Sequence, residues 1–239
     1  MNIVRAEWEK RNLGVECIEV SISKNDDPVV VLDVLKDQTA AYQVIKISSD
    51  TLLPFDELQG HGFVYAEDQI AVEHDLHVPK RTKIHQRLYD ASAFHEMNEA
   101  DYCTLLQEVE EGMFSTDRIA RDPFFGPEVS AKRYKGWLSD LRETGALFYG
   151  ITYKDEVAGF VVLQTKDNGK TYTSVLGGGY KKYRNSGLGI VQKEYEIVKM
   201  LGGKRVYTRV SSNNPGQLKA LVLNGWLPIN IEHIFVKHR

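Results

Sequence analysis

Between residues 181 and 189 the chain gathers the parts of an anion site: Lys181, Lys182, Arg184, Asn185, Ser186, Gly187, Leu188 and Gly189. Leu188, Val191, Tyr195, Val198 and Leu201 form an apolar stripe at helical spacing, which predicts a helix opening on this stretch and ending at Gly202-Gly203. Unpaired N–H groups at a helix start carry about half a positive charge. Glycine at 187 and 189 lets the backbone approach an anion closely, and Arg184 adds side-chain charge. The combination predicts a cradle for a diphosphate or a ribose phosphate. A dinucleotide fold is disfavoured because the preceding strands read as hairpins, and the missing Gly-Lys-Ser/Thr excludes a P-loop.

Gly177-Gly178-Gly179 ends the strand before this turn, where a glycine bulge would splay the neighbouring strands. The long segment 112–128 carries Asp117, Arg118, Arg121, Asp122 and Glu128, which either orient a substrate or pair with one another and cap turns. Phe124 and Phe125 line a pocket or fill the core. Asn214 before Pro215 predicts a helix N-cap. His85, His95, His233 and His238 lie outside the anion motif. Cys17 and Cys103 are far apart, which supports neither a disulfide nor a metal site.

The elements that position these residues read as two units. Residues 1–80 predict a small α/β domain: strands over Glu16–Ile22 and Ala41–Ile47, a crossover helix over 29–38, a short helix at Pro54–Gln59 and strand over Phe63–Leu76. Residues 81–239 predict the larger domain. Asn98 caps a helix bearing Tyr102, Leu105, Leu106 and Val109, and a second helix carries Tyr134, Trp137, Leu138 and Leu141. Three antiparallel strands follow within 146–176, then the helix after Gly187, in which Gln192, Lys193, Glu194, Glu196 and Lys199 oppose the apolar stripe. A strand at Arg205–Val210, a helix from Pro215 and a strand over Ile229–Val236 close the chain. Leu58-Gln59-Gly60-His61-Gly62-Phe63 before a strand echoes Leu221-Val222-Leu223-Asn224-Gly225-Trp226, so the first unit reads as a truncated cousin of the C-terminal half.

Arg184-x-x-Gly187-x-Gly189 between strand and helix, preceded by Tyr183, resembles the pyrophosphate motif of the GNAT superfamily of N-acetyltransferases. Asn214 followed by Gly225-Trp226 resembles that superfamily's Asn, helix, Gly-aromatic ending. The resemblance implies a mixed, mostly antiparallel α/β sheet flanked by helices, with acetyl-CoA as co-substrate. It implies contacts to the coenzyme from Gly177, Gly178, Gly179, Arg184, Asn185, Ser186, Gly187, Leu188, Gly189 and Asn214, with the Gly179 N–H on the thioester carbonyl. It departs at Leu221, where many relatives carry a proton-donating tyrosine. Tyr172, Tyr180, Tyr183 and Tyr207 are nearby in sequence, and no general acid is assigned. Trp8-Glu9, Leu13-Gly14-Val15, Arg118, Pro123, Tyr134 and Trp137 more narrowly resemble the TDP-fucosamine acetyltransferase type, implying a nucleotide-linked amino sugar as acceptor; Asp117, Arg118, Arg121 and Asp122 of the 112–128 loop are the candidates to bind an acceptor. A coenzyme-binding module without efficient catalysis, and an acetyltransferase for an amino acid, polyamine or protein amine, stand as alternatives.

The whole chain bounds these readings. Its 239 residues, 42% hydrophobic and 26% charged, suit a globular protein. A net charge of −3 gives no general pull toward nucleic acid or an anionic membrane. The N-terminus lacks a basic-then-apolar leader, so a cytoplasmic location is expected; the resemblance implies a small-molecule amine as partner, with homodimerisation left open.

Overall fold

The computed structural model describes residues 1–239 apart from Pro79, Asn185, Gly187 and Gly189. The chain begins β1 (Asn2–Arg5), α1 (Glu7–Leu13), β2 (Cys17–Ile22), α2 (Pro28–Lys36), β3 (Tyr42–Ser48), α3 (Phe55–Gly60), β4 (Val64–His74). Then come α4 (Lys83–Asp90), β5 (Ser92–Glu96), α5 (Glu99–Glu110), α6 (Arg118–Arg121) and α7 (Gly126–Glu143). The hairpin strands β6 (Leu147–Tyr153), β7 (Glu156–Lys166) and β8 (Thr171–Gly179) lead to α8 (Ile190–Met200), β9 (Arg205–Ser211), α9 (Pro215–Leu223) and β10 (Leu227–His238). Among the described residues the ten strands make one mixed, mostly antiparallel sheet in the order β1-β2-β3-β10-β4-β9-β8-β7-β6-β5. No described helix is long and apolar enough to cross a membrane.

Local chemistry accounts for the helix starts. Asp27 accepts from the Val29 N–H at 2.9 Å ahead of α2, and Asn98 and Asp101 form a reciprocal capping box at α5. The segment expected as loop at 112–128 instead contains α6, capped by Asp117, and the start of α7. β1, α1, α4 and β5 were not legible in the sequence. α4 is eight residues long and offers only Ile84 and Leu88 at helical spacing, too short a stripe to mark a helix in sequence. Three of the polar residues opposite the apolar stripe of α8 are covered, by α4, the residues just before it and the sheet. Gln192 receives a hydrogen bond from Arg81, the Lys193 ammonium lies 3.8 Å from the Tyr89 ring centroid, and Glu194 is buried against the sheet.

Helices cover both faces. Phe160, Val162, Leu176 and Tyr180 pack with Leu105, Val109, Tyr134 and Leu138 of α5 and α7. On the other face Val161, Leu163, Tyr172, Val206 and Val210 pack with Tyr195, Ile197 and Val198 of α8 and with Leu221 and Trp226. In the N-terminal part Val20, Ile22, Ile45, Ile47 and Phe235 pack on Val31, Leu32 and Leu35 of α2 and Leu58 of α3. Fully burying one such aliphatic or aromatic side chain contributes roughly 1.5–3 kcal/mol.

The two halves are internally related. Arg205 stands 163 positions after Tyr42, and the same shift carries all of β3, Tyr42–Ser48, onto all of β9, Arg205–Ser211. It also relates the central pairing to itself: Leu227 faces Glu73 as Val64 faces Val236, and the irregularities in that ladder fall at Ala66 and Ile229. The Phe63 N–H donates to the Leu58 carbonyl at 3.0 Å, and the Trp226 N–H to Leu221 at 3.1 Å. Gly62 and Gly225 take the left-handed turns just before, at φ 84° and 88°. Each half places its last strand beside the other half's preceding strand, β10 against β3 and β4 against β9. The hydrogen-bonded sheet therefore runs unbroken across the sequence boundary expected at 80/81.

Candidate functional site

The sheet opens at one place. β8 and β9 run parallel and pair only at Thr171↔Arg205, Tyr172↔Val206 and Thr173↔Tyr207, after which they part. The corresponding parallel pair, β2 and β3, stays closed over six positions, Cys17↔Tyr42 to Ile22↔Ile47. An extra residue at Val175, between the pairs Ser174↔Leu163 and Leu176↔Val162, shifts β8 against β7 at the start of the opening. The expected glycine bulge at 177–179 is thus corrected. The register break lies two residues earlier, because a bulge needs an added residue and not a glycine. Thr208 closes the blind end by donating its hydroxyl to the Ser174 carbonyl at 2.8 Å.

Gly177, Gly178 and Gly179 stay in register with Val161, Phe160 and Gly159 on β7. The Tyr180 N–H donates to Ala158 at 2.9 Å, so ladder alternation turns the Gly179 and Gly177 amides away from β7, into the opening. Glycine keeps this wall thin. A Cβ on Gly179 would stand 3.2 Å from Ile190 Cδ1 and 3.6 Å from Arg184 Cα. Gly159, which sequence reasoning passed over, is tighter still: its Cβ would meet the Gly178 carbonyl oxygen and Ile190 Cδ1, both at 2.5 Å. It seats the head of α8 against the strands.

At the mouth of the opening, Lys181–Tyr183 form a short 3-10 turn, Arg184 is exposed, and Leu188 is buried. Asn185, Gly187 and Gly189 lie outside the described residues. The Ser186 N–H and hydroxyl both donate to the Tyr183 carbonyl, at 3.0 and 2.6 Å, and so are engaged within the turn. The flanking lysines lean on carboxylates, Lys181 on Glu111 at 3.2 Å and Lys182 on Glu156, both exposed and hence weak pairings. Asn214 caps α9: its Oδ1 accepts from the Gln217 N–H at 3.1 Å and its Nδ2 donates to Gln217 Oε1 at 3.0 Å.

The four tyrosines divide. The Tyr172 hydroxyl donates to the Leu201 carbonyl, and that of Tyr183 to Glu156. Tyr180 is buried with its hydroxyl unpaired, and burial pushes that phenol up, against ionisation. Tyr207 is half-buried at the last ladder pair before the strands part. Leu221 is 2% exposed and packs in the core, as its counterpart Leu58 does.

The loop residues assigned to an acceptor are distributed differently from the expectation. Arg118 lies inside, bonded to Glu9 at 3.2 Å and 3.6 Å from Glu19, whose other partner is Lys46 at 2.7 Å. Arg133 donates to both Glu9 oxygens, at 3.0 and 2.8 Å, and lies against the Trp8 and Trp137 rings. Burial works against the Arg118 charge, but Tyr42, Glu9 and Glu19 hold it in place. Asp117 caps α6 and accepts from Ser130, while Asp122 accepts from the Phe124 N–H and meets His238 Nε2 at 2.7 Å. Arg121 alone of the four faces solvent. Phe125 packs edge-on against Tyr42 in the core, whereas Phe124 is exposed and stacks on His238.

Among the described residues one cluster, His74, Asp75 and His77, brings metal-capable atoms within 4.8 Å of one another. His74 Nδ1 accepts the Leu76 N–H at 2.9 Å, which places the neutral ring's proton on Nε2 and removes it as a ligand. Burial also lowers the His74 pKa to about 4, so the ring stays neutral.

No family model and no curated protein matches the sequence. Solved structures do match. A functionally unknown conserved protein from Staphylococcus epidermidis superposes with a TM-score of 0.64 at 11% identity, over 94% of this chain and 85% of its own. A GCN5-related N-acetyltransferase from Kribbella flavida gives 0.54 at 10% identity, over 93% and 81%. The fold is that of the GCN5-related N-acetyltransferases. A GCN5-related glucosamine N-acetyltransferase region of a fungal multi-domain GH3 β-N-acetylglucosaminidase shares this GNAT fold, with a TM-score of 0.52 at 14% identity, over 81% of this chain and 25% of that one. Against this fold, the sequence signals for the Arg184 turn and the Asn214 cap were readable. The β8/β9 opening, Gly159 and the buried Glu194 depend on which strands are neighbours, and no local motif marks them.

Proposed function

We propose that this chain binds acetyl-CoA in the β8/β9 opening and transfers the acetyl group to the amine of a small molecule. The observation that carries the reading is the opening itself, with the Gly177 and Gly179 amides turned into it and the Arg184 turn at its mouth. Its narrow glycine wall suits a slender ligand arm, and its basic mouth suits a diphosphate. Acetyl-CoA would supply an activated thioester. The chain would hold the phosphates at Arg184 and the head of α8, and offer the Gly179 or Gly177 N–H to the carbonyl oxygen as it gains charge. One such donor contributes about 3–4 kcal/mol.

The acceptor class placed first is an amino group on a nucleotide-linked sugar. It is supported by the resemblance at Trp8, Glu9, Arg118, Tyr134 and Trp137, whose side chains meet around Arg133, and by the amino-sugar activity named for the fungal region of the same fold. Of the four residues assigned to an acceptor, Arg121 on α6 is the one left facing solvent.

A second reading, a coenzyme-binding module without efficient transfer, is favoured by the burial of Leu221 where a proton donor is expected. Titration calorimetry with acetyl-CoA, followed by thiol release with a panel of amino sugars, amino acids and polyamines, separates the two. Binding with acceptor-dependent thiol release supports transfer. Tight binding without release from any acceptor supports the module, and no binding sinks both.

A further inference from the structure

Glu194 is a carboxyl that packing alone does not explain. It sits on the sheet-facing side of α8, 6% exposed, with Oε1 shut from solvent and without a hydrogen-bond partner among the described residues. Ser174 on β8 is its polar neighbour, and the Ser174 carbonyl carries the Thr208 hydroxyl at the blind end of the opening. The internal repeat supplies a control. The 163-residue shift carries Val31 onto Glu194 and Ile45 onto Thr208, and the parallel ladders place Val20 opposite Ile45 where Ser174 would face Thr208. In the closed half these three positions hold Val20, Val31 and Ile45, packed together in one apolar cluster. The architecture thus accepts valine and isoleucine here, and only the half that opens carries Ser, Glu and Thr. A buried carboxyl with one oxygen unpaired is costly, and such groups concentrate where chemistry is done.

We infer that Glu194 is the proton donor at the blind end of the slot, giving its carboxyl hydrogen to the sulfur as the thioester C–S bond breaks. The inference rests on the acetyl-CoA reading above. The amine nitrogen forms the new C–N bond, the C–S electron pair goes to sulfur, and Glu194 supplies the hydrogen that makes the thiol. The proton shed by the amine returns to the Glu194 carboxylate through water. Burial, opposed only by Ser174, pushes the carboxyl up to about 8, so it is neutral at pH 7. Charged groups on the neighbouring elements are otherwise engaged. Lys193 is turned to Tyr89, the Tyr172 hydroxyl is bonded to Leu201, His95 of β5 is bonded to Asp101 of α5, and Arg209 of β9 pairs with Glu232. This assignment fills the gap left by Leu221.

The test compares wild type with Glu194→Gln and Glu194→Val, the latter carrying the residue the closed half uses. Calorimetry measures acetyl-CoA affinity at pH 7 and 9, and thiol release gives kcat and KM. Wild-type affinity is expected to fall roughly tenfold across that range as the carboxyl ionises, while both variants stay flat. In both variants kcat is expected to fall by about 10²–10⁴ with little change in KM. Affinity equally pH-dependent in all three proteins, or flat in all three, overturns the assignment, as does a Gln variant that keeps its kcat. Failure of wild type to bind acetyl-CoA at pH 7 overturns the functional reading itself, and this inference with it.

Discussion

Thr208 reaches from β9 to give its hydroxyl to the Ser174 carbonyl on β8, at 2.8 Å, one residue beyond the last backbone pair of the two strands. The side chain does the work of the missing ladder bond and fixes where the sheet begins to open. Replacing it with the isosteric valine strands a buried carbonyl. Thr208→Val is expected to cost about 1–3 kcal/mol, read as a lower urea midpoint with an unchanged slope. An unchanged midpoint would mean that water reaches the Ser174 carbonyl and that the slot is wetter at its blind end than described.

Glu194 makes stability depend on pH with a definite sign. Its folded pKa, about 8, stands above the ordinary carboxyl value of 4.5, so the folded chain holds a proton the unfolded chain gives up. That contribution is fully present below the unfolded value and is lost as pH rises through the folded one. Wild type should therefore lose on the order of a few kcal/mol relative to Glu194→Gln between pH 4.5 and 8. Guanidinium unfolding of the two proteins at half-unit pH steps measures the difference, and parallel curves would show that the carboxyl is ionised inside the fold.

How much of this was legible in sequence differs by element. The Arg184 turn, the Asn214 cap and the hairpin strands announce themselves through local residue types, and the 58–63 and 221–226 echo pointed to the repeat. Glu194 misled, because a charged residue opposite an apolar stripe reads as a solvated face unless one knows that α4 and the sheet cover that side. Arg118 misled for a related reason. Its partners Glu9 and Glu19 lie about a hundred residues away in sequence and become neighbours only once α1 and β2 pack against α6.

The Glu9 carboxylate holds two buried guanidinium groups at once, so its loss leaves Arg118 and Arg133 without their shared counter-charge. Breaking a buried pair from one side typically costs about 3–5 kcal/mol. Glu9→Gln keeps the shape and removes the charge, and is expected to lower the unfolding free energy, read from denaturant midpoint and slope, by an amount in that range. A drop below about 1 kcal/mol would place the cluster in contact with solvent.

Gly159→Ala tests the seat of α8. The added methyl would stand 2.5 Å from the Gly178 backbone oxygen and from Ile190 Cδ1, and the first cannot move without shifting β8. Overpacking of this kind costs about 1–3 kcal/mol. Because the displaced atoms belong to the glycine wall of the opening, acetyl-CoA affinity is expected to fall at least as far as stability does, measured by calorimetry alongside unfolding. Lost stability with full affinity would separate the seat from the binding slot.

The exchange of last strands predicts what happens when the chain is cut at the boundary the sequence suggests. A fragment of residues 81–239 keeps the Arg184 turn and α8 but lacks β4, which lies between β9 and β10 and pairs with both. β10 also loses β3, so it keeps no neighbour, and β9 exposes one whole edge bearing Val206, Val210 and the rest of its core face. Unpaired, apolar-faced strands aggregate. The fragment is expected to be insoluble or unfolded by circular dichroism, and mixing it with residues 1–80 is expected to restore a folded complex. A soluble, cooperative fragment 81–239 would mean that β9 and β10 can pair with each other, and that the exchange of strands is a choice the full chain makes after its halves have formed.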